Sequence, residues 1–203
     1  AILGRYNDLI TSGAISSEPV LNMLNARYIV GGGQLYTNDR ALGNAWFIDN
    51  IRYVDNANDE LNALTALAPE YEAVADKSMA AILGNAAPGD STDVIVETSY
   101  APDRLTYKST ASSPRVAVFS EIYFPWGWEA TIDGKPAEIG RVNYVLRAMA
   151  IPAGTHEITM TFDPASVHTT VTIATVAIIV IYLLTVAAII CSLSGCQKDR
   201  DNE

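Results

Sequence analysis

From Val171 to Leu193 the chain reads VTIATVAIIVIYLLTVAAIICSL, twenty-three residues without an Asp, Glu, Lys or Arg. At 1.5 Å per residue a helix of that length is about 34 Å long, enough to cross a hydrocarbon core of roughly 30 Å with modest tilt. Thirteen of its residues are Val, Ile or Leu, and the interspersed Thr hydroxyls can bond back to helix carbonyls. The sequence therefore predicts a transmembrane helix over residues 170–193, preceded by an anchored domain and followed by the tail 194–203. The lipid bilayer is the first partner expected.

Charge around the span sets an expected orientation. Lys198 and Arg200 follow it, whereas the twenty residues before Val171 contain neither Lys nor Arg. By the positive-inside rule, which counts cations, the tail is cytoplasmic and the domain extracytoplasmic. The chain opens at Ala1 without Met or a signal segment able to export 170 residues. It is accordingly read as the C-terminal piece of a longer membrane protein whose earlier spans form a transmembrane bundle, with a tail-anchored cytoplasmic protein as the rival.

Residues 1–168 hold eleven Lys and Arg against twenty Asp and Glu, a net charge of −9. Nucleic acid is not an expected partner, because binding would need a concentrated basic face. The two cysteines, Cys191 and Cys196, lie at the end of the span, so the domain must fold on its hydrophobic core without disulfides.

The predicted fold class is α+β: a small α/β subdomain (1–84), a linker (85–91), an antiparallel β-sandwich (92–166) and the C-terminal transmembrane helix. An amphipathic helix is expected over 1–10, then a helical turn opened by Ser17-Glu18-Pro19 and a strand over 27–30. Gly31-Gly32-Gly33 is read as a flexible turn, since no Lys-Ser/Thr pair follows to make a phosphate loop. Residues 45–54 read as one or two strands. Asn56 should cap a helix that buries Leu61, Leu64 and Leu67, and 72–76 reads as another strand. The turn formers of Gly84–Asp90 mark the boundary.

Beyond it, Val94, Val96 and Thr98 share one strand face, as do Leu105 and Tyr107. Asp133-Gly134 suits a type I′ hairpin turn, and Ile158, Met160 and Phe162 should point inward. Seven short strands punctuated by turns predict the sandwich. His156 is expected at its surface and His168 at the membrane interface.

Three stretches carry a family resemblance: VLNMLNARYIV (Val20–Val30), ALGNAWFIDNIRYVDNANDEL (Ala41–Leu61) and the long FSEIYFPWGWEATIDGKPAEIGRVNYVLRAMAIPAGTHEITMTFDP (Phe119–Pro164). They resemble the C-terminal region of YfhO-type bacterial membrane proteins. The resemblance implies a polytopic protein of the bacterial cytoplasmic (inner) membrane, similar to GT-C-type glycosyltransferases that use lipid-linked sugars to modify cell-envelope polymers. In such enzymes the catalytic carboxylates lie in an early extracytoplasmic loop that this sequence does not contain, so no catalytic residue is carried over.

The residues themselves offer little reactive chemistry. There is no H-E-x-x-H, G-x-S-x-G or C-x-x-C, and neither metal nor other cofactor is expected. Asp199-Arg200-Asp201 matches a D-x-D pattern and Leu193-Ser194-Gly195-Cys196 a lipoprotein box, but both are out of context in a short charged tail.

Binding chemistry is offered by the cluster Tyr123, Phe124, Trp126, Trp128 and Tyr144. Flat rings pack on the apolar faces of sugars, and Arg141, Asn143, Glu121 and Glu129 could bond hydroxyls. Aromatics in strands more often fill a core, and Trp128, alternating with Ala130 and Ile132, is expected to be largely buried. Trp126, next to Gly127 in a loop, is expected to be exposed. The candidate sugar contacts are Trp126, Tyr123, Tyr144, Arg141 and Asn143. Three functions remain in view: accessory domain and anchor of an envelope glycosyltransferase, carbohydrate-binding module for envelope glycan, and structural or interaction domain of a membrane protein.

Overall fold

Turn and cap residues lay out the N-terminal third of the computed structural model, which describes residues 3–200, with side chains through Cys191. Helix α1 (Gly4–Thr11) ends where Gly13 adopts a left-handed φ of 77°, and α2 (Glu18–Met23) starts after extended Ser17 with Pro19 in its first turn. Strands β1 (Tyr28–Gly31) and β2 (Gln34–Thr37) form a hairpin. Its tip glycines Gly32 and Gly33 both have positive φ, a backbone state that most side chains disfavour. The next strands are β3 (Ala45–Ile48) and β4 (Asn50–Val54). Helix α3 (Ala57–Ala63) is capped by Asn56, whose side chain accepts the Asp59 N–H at 3.0 Å. Strand β5 (Glu72–Asp76) and the short α4 (Ala80–Leu83) follow.

The rest of the first unit is strand. It comprises β6 (Val94–Ala101), β7 (Arg104–Ala111), β8 (Arg115–Ile122), β9 (Trp128–Ile132), β10 (Lys135–Ala137), β11 (Gly140–Val142), β12 (Leu146–Ile151) and β13 (Gly154–Phe162). Two antiparallel sheets result, one ordered β10-β9-β13-β7-β6 and the other β11-β12-β8-β3. The fold is thus α+β, with a sandwich at its centre.

Strand β8 explains the layering. Its sequence Val116-Ala117-Val118-Phe119 is apolar on both sides, as a strand covered on both faces must be. Ala117 and Phe119 join Met149 and Ile151 against Leu105, Tyr107, Ile158 and Met160 of the five-stranded sheet. Val116 and Val118 join Ile48, Leu146 and Ala148 in a second core, closed by Leu9, Met23, Leu64 and Val74. The four-stranded sheet is therefore a middle layer.

That arrangement departs from the expected division at 85–91. Strand β3 pairs with β8 from Ala45↔Phe119 to Ile48↔Val116, and residues 1–162 form one compact unit. The N-terminal segment supplies both an edge strand of the sandwich and the cover of its back face. Asp49 separates β3 from β4, which instead pairs in parallel with β5. On β6, Val94 and Val96 share the exposed face and Ile95 is buried. Their cross-strand neighbours are Thr110 and Lys108, so that face of the sheet is the solvent side.

The β9–β10 turn matches its sequence: Asp133 and Gly134 have φ of 51° and 75°, both positive as a type I′ turn requires. Asp133 also holds His156, with Oδ2 at 2.6 Å from Nδ1, while Nε2 lies 3.0 Å from the Ala153 carbonyl. The hydrogen bond to Asp133, then that to Ala153, raise the His156 pKa above its ordinary 6.5. The bonds from His156 and from the Glu157 N–H lower Asp133 below 3.8. The histidine contribution is complete below the unfolded value and is lost as pH rises through the folded one. The aspartate contribution is present above its unfolded value and is lost as pH falls through the folded one. His156→Gln should therefore destabilise the domain most between about pH 4 and 6.5, and the deficit should shrink as pH rises through the raised His156 value. Urea unfolding as a function of pH checks this; a deficit independent of pH would remove the ion pair from the explanation.

The second unit begins at Asp163 and holds α5 (Ala165–Arg200), of which Ala165–Cys191 is long and apolar enough to cross a membrane. The helix starts before residue 170 because Ala165–Thr170 contains no breaker after Pro164 and can continue the same hydrogen-bond ladder. Thr169, Thr170, Thr172, Thr175 and Thr185 each turn their hydroxyl back to the carbonyl four residues earlier, which hides their polarity from an apolar surrounding. His168 pairs with Asp163. The expected tail is helical as far as Arg200. Asp201 to Glu203, and the Ala1-Ile2 start of the first predicted helix, lie outside the described residues.

Candidate functional site

Two neighbouring groups of aromatics flank the loop between β8 and β9. Trp128 lies 5.3 Å from Phe162 between ring centroids, and Phe124 bridges to Phe162 at 6.3 Å and to Trp126 at 5.3 Å. The buried Arg147 guanidinium sits 3.9 Å over the Trp128 ring and donates through Nε to the Ile122 carbonyl at 3.2 Å. Burial lowers the Arg147 pKa, with Glu121 opposing; burial also raises the carboxyl of Glu121. Trp128 is half-buried rather than enclosed, because it packs at the margin of the inter-sheet core under a charged side chain. Trp126 is 69% exposed.

The second group forms a cleft of about 320 Å³ lined by Tyr123, Pro125, Trp126, Arg141 and Tyr144, with Leu3 and Arg5 from the chain's start. Four of the five residues read as sugar contacts thus meet at one place. Asn143 does not line it. It is fully buried, accepting the Val74 N–H at 3.0 Å through Oδ1 and donating its own N–H to the Val74 carbonyl at 2.7 Å.

The floor of the cleft is a charge network. Glu60 on α3 is fully buried; its Oε2 is 2.8 Å from Arg5 Nη1 and 3.7 Å from Arg141 Nη2, and its Oε1 accepts the Tyr144 N–H at 3.0 Å. The Arg5 guanidinium stacks 4.5 Å over the Tyr144 ring, and the Tyr144 hydroxyl donates to Asp8 at 2.8 Å. Burial, then the Asp8 bond, raise the phenol's pKa; burial lowers that of Arg141 against the pull of Glu60. Tyr144 has φ of 71°, an outlier for a bulky residue that survives only when its surroundings hold it. Glu60, Asp8 and Arg5 do so.

Sequence reading missed Arg5, Asp8 and Glu60. Periodicity did carry one signal: Glu60, Leu64 and Leu67 follow i, i+4, i+7, and all three are buried, whereas Leu61 is only half-buried. An acid on the buried stripe of a helix needs a buried cation, and the sequence alone does not say which.

Chemically the cleft is a flat apolar wall over a satisfied ionic floor. Trp126 and Tyr123 offer ring surface, while most polar groups are already bonded within the fold. The buried Nε of Arg141 is the exception, having no acceptor among the described residues. No three His, Cys, Asp or Glu side chains converge on a metal-sized space among the described residues. No family model, curated protein or solved structure matches this chain.

Proposed function

We propose that this chain is the non-catalytic extracytoplasmic domain and terminal membrane anchor of a larger GT-C-like glycosyltransferase of the bacterial cell envelope. The observation that carries the reading is α5: an apolar stretch of 27 residues, none of it buried, joined to the last sandwich strand through Asp163-Pro164 alone. So much exposed Leu, Ile and Val is sustainable in lipid and not in water. The YfhO-type resemblance supplies the enzyme class, and Lys198 with Arg200 supports a cytoplasmic C-terminus in the inner membrane.

A carbohydrate-binding role is the second reading, favoured by the exposed Trp126 beside Tyr123 and Arg141. Envelope glycan would lie its apolar face on the indole, with Arg141 as the hydroxyl partner.

Orientation is the direct test of the first reading. A reporter active only in the cytoplasm, fused after Glu203, is expected to be active in cells. External protease cutting the tail while sparing the sandwich would reverse the topology.

A further inference from the structure

The β1–β2 hairpin is the one two-stranded antiparallel sheet among the described residues, and it joins neither layer of the sandwich. Val30↔Leu35 and Tyr28↔Thr37 share one face, and Ile29↔Tyr36 lies on the other. Four of these apolar side chains are exposed, from 52% at Tyr36 to 77% at Val30. Apolar residues on both faces of a lone hairpin stabilise nothing in water, where two-stranded sheets are marginal; they indicate a surface that something covers.

Charge narrows what that is. Tyr28 to Asn38 contains no Asp, Glu, Lys or Arg, within a domain of net charge −9. At the hairpin's root stand exposed Arg27, which makes no ion pair among the described residues, and exposed Asp39 and Arg40, the latter paired with Glu18. An uncharged tip with Tyr near an Arg root is the pattern of an element at a lipid surface, where tyrosine occupies the headgroup level and arginine reaches phosphate. We infer that the β1–β2 hairpin dips into the headgroup–acyl boundary of the bilayer that α5 spans, giving the domain a second lipid contact. The inference rests on the anchor reading above. Tethering keeps lipid at high effective concentration, so a weak insertion suffices. Depth is limited, because both outer edges of the hairpin carry unpaired backbone groups that hydrocarbon cannot satisfy.

The test uses the full chain, with Cys191→Ser and Cys196→Ser, in vesicles of phosphatidylcholine and phosphatidylglycerol. Single cysteines replace Val30, Tyr182 on α5 and Lys108 on the solvent face of the sandwich, each carrying an environment-sensitive nitrobenzoxadiazole label. Expected is quenching of the labels at 30 and 182 by shallow and deep doxyl-lipids respectively, with severalfold protection from aqueous iodide, and the reverse at 108. Adding Leu35→Asp should abolish lipid quenching at 30 and leave 182 unchanged. Quenching at 182 but only iodide quenching at 30 overturns the hairpin contact and keeps the anchor. A label at 30 shielded from both quenchers means that protein covers the hairpin and overturns the lipid contact. Lipid quenching at neither site removes the anchor and the hairpin contact with it.

Discussion

Glu60→Ala is expected to destabilise the domain by about 3–5 kcal/mol, the range for removing one partner of a buried ion pair. The carboxylate is fully buried, and its three donors come from three parts of the chain: Arg5, Arg141 and the Tyr144 backbone. Arg5 is 31% exposed at its side chain and can turn to solvent, whereas Arg141 is 15% exposed. Most of the loss should therefore come from Arg141 and from the released Tyr144 N–H, whose left-handed residue also loses a brace. Glu60→Gln keeps an acceptor and should cost less. Replacing both partners, Glu60→Ala with Arg141→Met, should recover part of the loss, since the stranded cation is gone. Urea unfolding of the full chain in detergent measures all three. A loss below about 1 kcal/mol for Glu60→Ala would mean that the network is ornamental.

The same network shows what the sequence could and could not convey. Strand positions were legible where a turn has its own chemistry: Asp133-Gly134 dictates positive φ at consecutive residues. The membrane-length helix was legible from composition alone. Pairing across distance was not. Alternation put Val94 and Val96 on one face of β6 without saying which face a second sheet would cover, and Ile95 turned out to be the buried one. The stretch 45–54 reads as one or two strands without naming their partners; its two strands enter different sheets, because the partners β8 and β5 are chosen by tertiary packing. The turn formers at 84–90 connect α4 to β6 within one unit and separate nothing. At the cleft, Tyr123 and Trp126, and Arg141 and Tyr144, were visible as local clusters; Arg5 and Asp8, more than 100 residues away in sequence, reach Tyr144 only in three dimensions.

Trp126 and Trp128 stand two residues apart and should respond differently to truncation. Trp128 packs on Phe162 and carries the Arg147 guanidinium 3.9 Å above its ring. Trp128→Ala should cost about 3 kcal/mol, the low end for an aromatic truncated at a core, because the ring is half-buried and part of the space left can fill with water. Some of that loss is the cation's: Arg147 is buried and, among the described residues, keeps the Ile122 carbonyl and the Met160 sulfur, 3.7 Å from Nη1, as hydrogen-bond partners, so Trp128→Phe should restore much of the stability by returning a face to it. Trp126 touches Phe124 edge-on, lines the cleft and is 69% exposed. Trp126→Ala should change stability by less than about 1.5 kcal/mol, as ordinary substitutions do. If glycan or a neighbouring protein lies on the cleft, that variant loses the contact while its unfolding curve stays close to the parent's, a separation of binding from stability that Trp128→Ala cannot give. Thermal and urea unfolding of the pair decide it: equal large losses would make Trp126 part of the core and leave the cleft without its exposed wall.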